Sequence, residues 1–237
     1  MRDAARQQAA ACLAEAFETG NPLAALPDEL VPASPAEGGD VAALVLEQLG
    51  LVACGIRLAH GPDGKAPLAG PMLEARLLPG GVCLPLAALR HAQATAALVA
   101  VLAEALPEHG EGLPALAAVH PAIDVAGSRF RDSPASLGLF AADLCGLGHV
   151  VAGRGGDLPD GAVAVTLAEA RRRPCGEPVD LRAALAAAMD AARRSAGGLP
   201  AGAVVVVTGL SRPVVPEAGL SLAASFAGLG RVKLDFA

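Results

Sequence analysis

A chain of 237 residues can bury about three quarters of its surface, so size does not limit the core. Hydrophobic residues make up 53% but aromatics only 2%, with no Trp and no Tyr, so the core must be Ala, Val and Leu packed closely around 28 Gly, without platforms for base stacking. Eighteen Lys and Arg against 24 Asp and Glu, a formal net charge of -6, give no basic footprint for nucleic acid, and every apolar run is broken by Gly, Pro or charge before the roughly 20 residues of a membrane span.

In chain order, residues 2–19 set Ala9, Cys12, Leu13, Ala16 and Phe17 at helical spacing, and Thr19, Gly20, Asn21 and Pro22 stop the helix. Acids and glutamines interrupt this first helix, which therefore lacks the apolar stretch of a signal peptide, and a cytoplasmic location is expected. The Pro-rich stretch LPDELVPASPAEGGD reads as a surface linker, and Asp40 as the N-cap of a second helix, Val41 to Leu49, ended by Gly50. LVACGIRLA (51–59) reads as a strand with Gly55 and Arg57 on one side, followed by the loop HGPDGKAP with a solvated Lys65. The cysteines, Cys12, Cys54, Cys83, Cys145 and Cys175, are odd in number and widely spaced, which points to free thiols. Cys83 and Cys145 are expected to be buried, and Cys175, in a PCGEP turn, to be the most reactive.

The stretch VHPAIDVAGSRFRDSPASLGLF (119–140) carries the main chemical question. Asp124 lies in an apolar run that reads as a buried strand, beside Ile123 and Val125. A carboxylate there must be paired, hold a metal or take up a proton, because uncompensated burial costs several kcal/mol or more. His120 precedes Pro121 in extended backbone and shares a strand face with Asp124, as a structural pair or as part of a site. Beyond it, LGLFAADLCGLGHVVAG reads as strands joined by Gly-rich turns, GRGGDLPDG as a hairpin tip, and AVAVTLAEARRRPCGEP as a strand running into a basic surface segment. Asp180 caps a long helix, LRAALAAAMDAARRSAGG, and the chain closes with VVVV, a Thr208-Gly209 turn and two further strands.

The order PAIDVAGSRF followed by ASLG, together with PGGVCLP, LAEALP and the closing VVVVTGLSRPVVPEAGLSLAASFAGLGRVKLDF, resembles the 2-keto-4-pentenoate hydratase family of the fumarylacetoacetate hydrolase superfamily over residues 10–237. The resemblance implies an α+β fold, a mixed β-roll with helices packed outside, divided into a helical N-terminal lobe (1–50) and the roll (51–237). It implies a hydro-lyase acting on a small 2-keto-enoic acid, with Mg²⁺ or Mn²⁺ held by three carboxylates. Two of those fall on Thr95 and Ala97, and the third is retained as Asp124. The family's lysine falls on Gly55, a glycine of its motif on Arg57, and its Asp-Asn pair on Ser133 and Pro134. Thr208 and Gly209 match substrate-contacting positions, Ser136 and Gly138 of ASLG are small residues that let a backbone come close to a ligand or another strand and join them as substrate-binding candidates, and Arg212 could fork onto a carboxylate.

Hard divalent ions need several oxygen ligands, so no metal or other cofactor is expected. Asp124, His120 and Arg57 are the catalytic candidates, and an arginine is the expected partner of Asp124. The expected function is that of a hydratase-like protein whose metal-dependent chemistry is lost or altered; the alternative is a non-catalytic relative that binds a small carboxylic or keto acid or a partner protein. A homo-oligomer, or pairing with a related subunit, is compatible with either.

Overall fold

The computed structural model describes residues 1–62, 64, 67–172 and 176–237. Two twisted sheets form the roll. The larger runs β2 (Pro67–Met72), β1 (Gly55–His60), β10 (Val204–Val207), β5 (Gln93–Leu102), β6 (Leu116–Ala126), β7 (His149–Ala152) and β3 (Leu77–Pro79). The smaller runs β4 (Cys83–Leu84), β12 (Gly230–Phe236), β11 (Ser221–Phe226), β8 (Ala162–Glu169) and β9 (Glu177–Asp180). Pairing is antiparallel except at β1/β10, β3/β7 and β4/β12, so the α+β mixed β-roll is the observed class.

Alternation along the strands assigns each face of the larger sheet to its own core. Ile56, Leu98, Ile123, Val125, Val151 and Val205 pack toward the smaller sheet and toward α4 (Leu181–Ala196), which buries Leu181, Leu185, Ala188 and Met189. Ala97, Val99, Ala122, Val150, Val204 and Val206 face the other way, onto α1 (Asp3–Thr19) and α2 (Pro35–Gln48) through Ala9, Leu13, Val41 and Val45. The helices of the N-terminal stretch thus cover one sheet face, the face that also carries Asp124.

Four local expectations are corrected. Helix α2 begins at Pro35, not after Asp40. Ser34 accepts the Glu37 N–H at 3.3 Å and the Glu37 carboxylate accepts the Ala33 N–H at 2.9 Å, a capping pattern with Pro at the first position that makes Asp40 a mid-helix residue bonded to Arg6. The apolar run after Ser136 opens with a short helix, α3 (Leu137–Ala142), because the Ser136 hydroxyl caps the Leu139 N–H at 3.2 Å. The GRGGDLPDG segment is not a hairpin tip: it carries the chain from β7 in one sheet to β8 in the other. Cys83 is exposed, because β4 is an edge strand. Lys65 and Cys175 lie outside the described residues.

Candidate functional site

Asp124 sits in β6 directly opposite Thr95 of β5, with Ala97 opposite Ala122 one pleat repeat further on. Arg57 enters from β1, two strands beyond β5 in the ladder, opposite Val206 of β10. In a flat sheet the three strand spacings would hold the two backbones about 14 Å apart, too far for an arginine to reach an aspartate. The curl of the sheet closes that gap over Ala97, Val99 and Val206. Arg57 Nε and Nη2 donate to Asp124 Oδ1 and Oδ2, each at 2.6 Å, and Nη1 donates to the Cys145 carbonyl at 2.8 Å. Arg57 is 1% and Asp124 2% exposed. Burial works against the Arg57 charge, but the charge and hydrogen bonds of Asp124 outweigh it and raise the guanidinium above the usual arginine range. The expected arginine partner of Asp124 is therefore Arg57.

A second buried ion pair stands beside the first. Asp143, fully buried, accepts Arg129 Nε at 2.5 Å and the Ser128 hydroxyl at 2.7 Å. Arg129 also donates to the carbonyls of Asp143 and Leu147. Between these carbonyls Leu144 and Cys145 both adopt φ 52°, a left-handed conformation uncommon for residues other than glycine. Arg57 and Arg129 thus clamp this strained turn from two sides. Gly70, opposite Arg57 on β2, leaves it room: a Cβ there would lie 2.6 Å from Cys145 Cβ. Burial pushes the Cys145 thiol up to about 12, so it stays protonated and inert. Asp143 was missed in the sequence, although an acid inside FAADLCG is the same signal that marked Asp124.

The remaining candidates divide into two groups. Thr208 donates to the Leu58 carbonyl at 2.7 Å, the Gly209 N–H donates to Thr95 Oγ1 at 3.1 Å, and Ser211 Oγ accepts the Ala96 N–H at 2.9 Å. These residues stand at the β5/β10 end where Thr95 faces Asp124. The His60 ring packs onto Gly209, where a Cβ would lie 2.8 Å from Nδ1. The others lie elsewhere. His120 Nδ1 bonds the Gly153 carbonyl at 3.0 Å, so it does not pair with Asp124: four residues along an extended strand separate the side chains by more than an imidazole can span. Ser136 caps α3, and Gly138 packs against Pro32, whose carbonyl would lie 2.2 Å from a Cβ. Arg212 is solvent-exposed, 3.5 Å from Glu177.

The donors at the metal positions do not fit a divalent ion. Both Asp124 oxygens are taken by Arg57, the Thr95 hydroxyl accepts the Gly209 N–H, and Ala97 supplies nothing. Among the described residues no group of three or more His, Cys, Asp or Glu is placed to hold a metal.

The whole chain superposes on 4-oxalocrotonate decarboxylase from Pseudomonas putida G7. Against the complex with magnesium and adipate the TM-score is 0.82 at 18% identity, covering 100% of this chain and 99% of that one; the complex with calcium and acetate gives 0.80 with the same identity and coverage. This is the fumarylacetoacetate hydrolase fold. A 2-hydroxyhepta-2,4-diene-1,7-dioate isomerase from Mycobacterium marinum shares it more distantly, with a TM-score of 0.57 at 12% identity over 78% of this chain and 75% of that one. No protein-family model matches the sequence, and no curated protein does. No helix among the described residues is long and apolar enough to cross a membrane.

Proposed function

We propose that this chain is a hydratase-like relative in which metal-dependent chemistry on a 2-keto-enoic acid has lapsed, leaving a non-catalytic protein that binds a small carboxylic acid. The observation that carries this reading is the bidentate contact of Arg57 with both oxygens of Asp124. In the parent chemistry a divalent ion chelated by the keto acid stabilises an enolate, and the groups involved act as a unit. Here Arg57 supplies the positive charge that Asp124 requires, and three of its N–H groups are spent on Asp124 and the Cys145 carbonyl. His120, Arg57 and Asp124 do not form an acid–base constellation, since the first is bonded to Gly153 and the other two to each other. The ligand class is supported by similar folds determined with adipate and with acetate.

Two measurements test the reading. Melting curves with millimolar Mg²⁺ or Mn²⁺ should coincide with the metal-free curve. A site filled at 100 times its Kd would add about 2.7 kcal/mol, a rise of roughly 5–10 °C at this chain length. The ultraviolet absorbance of 2-hydroxypenta-2,4-dienoate should not decay above background. A metal-dependent rise in melting temperature, or dienol loss proportional to protein concentration, defeats the reading.

A further inference from the structure

A cleft of about 550 Å³ lies between the end of α1, the segment 85–90 and the loop after β6, and it gathers Arg76, Arg90 and Arg129. Arg129 is neutralised by Asp143. Arg76 and Arg90 have no carboxylate within ion-pair distance among the described residues, although Glu18 also lines the cleft. Arg76 is half-buried: its guanidinium carbon lies 4.8 Å from the centroid of the Phe17 ring, and Nη1 donates to His149 Nε2 at 3.2 Å. That bond fixes the ring proton on Nδ1, which is buried without a partner among the described residues. Burial and the nearby Arg129 both disfavour the Arg76 charge, yet a guanidinium does not give up its proton in a protein. Arg90 makes no side-chain hydrogen bond among the described residues, while its carbonyl accepts the Ser128 N–H at 3.0 Å and so fixes the segment against the cleft. Two cations kept partly out of water without an anion, beside apolar side chains, make a site for an anion with a hydrocarbon body.

We propose that this cleft binds a small carboxylic acid, with its carboxylate held by Arg76 and Arg90 and its hydrocarbon part against Ala88 and Leu89. The cleft falls within the size range of small-molecule sites, and the planar guanidinium fork matches a carboxylate in two parallel hydrogen bonds. The choice of a carboxylic acid over a phosphate rests on the function proposed above. The residues are separate from Arg57 and Asp124, so the two failures are distinguishable: the metal and dienol assays address the first, and binding at this cleft the second.

The test is isothermal titration calorimetry at pH 7 and constant ionic strength, with succinate and inorganic phosphate as probes. Succinate should bind saturably and more tightly than phosphate. Arg76→Gln and Arg90→Gln should each weaken succinate by about tenfold or more, while Arg194→Gln, at an exposed position on α4, should leave it unchanged. Arg90→Gln keeps the test open should Arg76→Gln unfold, because the Arg90 side chain makes no hydrogen bond among the described residues. Absence of saturable succinate binding overturns the proposal. Phosphate binding tighter than succinate overturns the ligand class, and wild-type affinity in Arg90→Gln overturns the location.

Discussion

Replacing Asp124 by Asn is the most informative perturbation of the buried pair, because it removes charge while nearly preserving shape. The amide keeps one acceptor for Arg57 but turns an NH₂ group toward the other guanidinium N–H, where two oxygens now accept at 2.6 Å. With Arg57 only 1% exposed, water cannot take over the lost acceptor. Breaking a buried pair from one side costs about 3–5 kcal/mol, and the retained acceptor places Asp124→Asn near the lower end, about 3 kcal/mol. For a chain of this length that is a fall of roughly 6–12 °C in melting temperature. Arg57→Met should cost a similar amount, since it strands the carboxylate and leaves the Cys145 carbonyl without its donor. The double replacement Arg57→Met with Asp124→Leu should recover most of the loss, because apolar side chains of similar volume can substitute for a buried ion pair without penalty. Urea denaturation at pH 7, with wild type, Arg57→Met, Asp124→Leu and the double replacement compared as a cycle, reads the coupling. Asp124→Asn with the wild-type midpoint would show that the pair does not hold these strands together.

Two further outcomes follow from the geometry. Placing a lysine at position 55, where the resemblance puts one, by Gly55→Lys should destabilise the protein, as should Gly55→Ala, because a Cβ at position 55 would lie 1.8 Å from the Val204 carbonyl oxygen; a loss of roughly 1–3 kcal/mol is expected, and an unchanged urea midpoint for Gly55→Ala would show that the strand has room for a Cβ. His149 is pushed below its ordinary 6.5 first by burial and then by Arg76, so the unfolded chain takes up this proton before the folded one does. The stability it contributes is present above about pH 6.5 and is lost as pH falls through the lower folded value, so the gap between urea midpoints at pH 7 and pH 5.5 should narrow in His149→Gln; equal gaps in the two proteins would remove His149 from the acid response.

The features legible in the sequence were those with a short-range cause. The α4 cap is local: Asp180 accepts the Ala183 N–H at 3.0 Å, three residues away. The pairing of Thr95 with Asp124 agrees with the resemblance, which sets both at positions of one metal site. Asp124 itself stood out because an acid in an apolar strand demands a partner. Which partner it takes depends on curl, since Arg57 meets it across two intervening strands, a contact between residues 67 apart in sequence. His120 looked like the nearer candidate, but sharing a strand face does not bring residues i and i+4 into contact. The start of α2 was misplaced for a different reason: two glycines and a proline in PAEGGD mimic a linker, while the Ser34, Pro35 and Glu37 signature outweighs them. Gly38 is needed inside that helix because the Gly138 carbonyl would lie 2.2 Å from any Cβ there, a close approach that only tertiary packing reveals.

On the proposed reading, the guanidinium at Asp124 accounts for a fold that persists without metal chemistry. A carboxylate on that strand face needs positive charge, and a divalent ion or a guanidinium can supply it. The two differ in what they leave over. A metal has open coordination positions at which it binds an oxygen lone pair and polarises it, whereas a guanidinium has only N–H donors in a fixed fork. Arg57 spends three of its five on Asp124 and Cys145. The Arg57–Asp124 contact also depends on its surroundings. Gly55 cannot carry a side chain beneath Val204, Gly70 must stay small to admit Cys145, and the Cys145 carbonyl turns toward Arg57 only because Leu144 and Cys145 accept left-handed backbone. The cost of that turn is offset by the hydrogen bonds of Arg57 and Arg129, which ties the electrostatics of Asp124 to the packing of α3 on α2. Thr95→Glu with Ala97→Glu would add two carboxylates beside a guanidinium already committed to Asp124, so the pair of substitutions should unfold the protein rather than recruit magnesium unless Arg57 is removed as well.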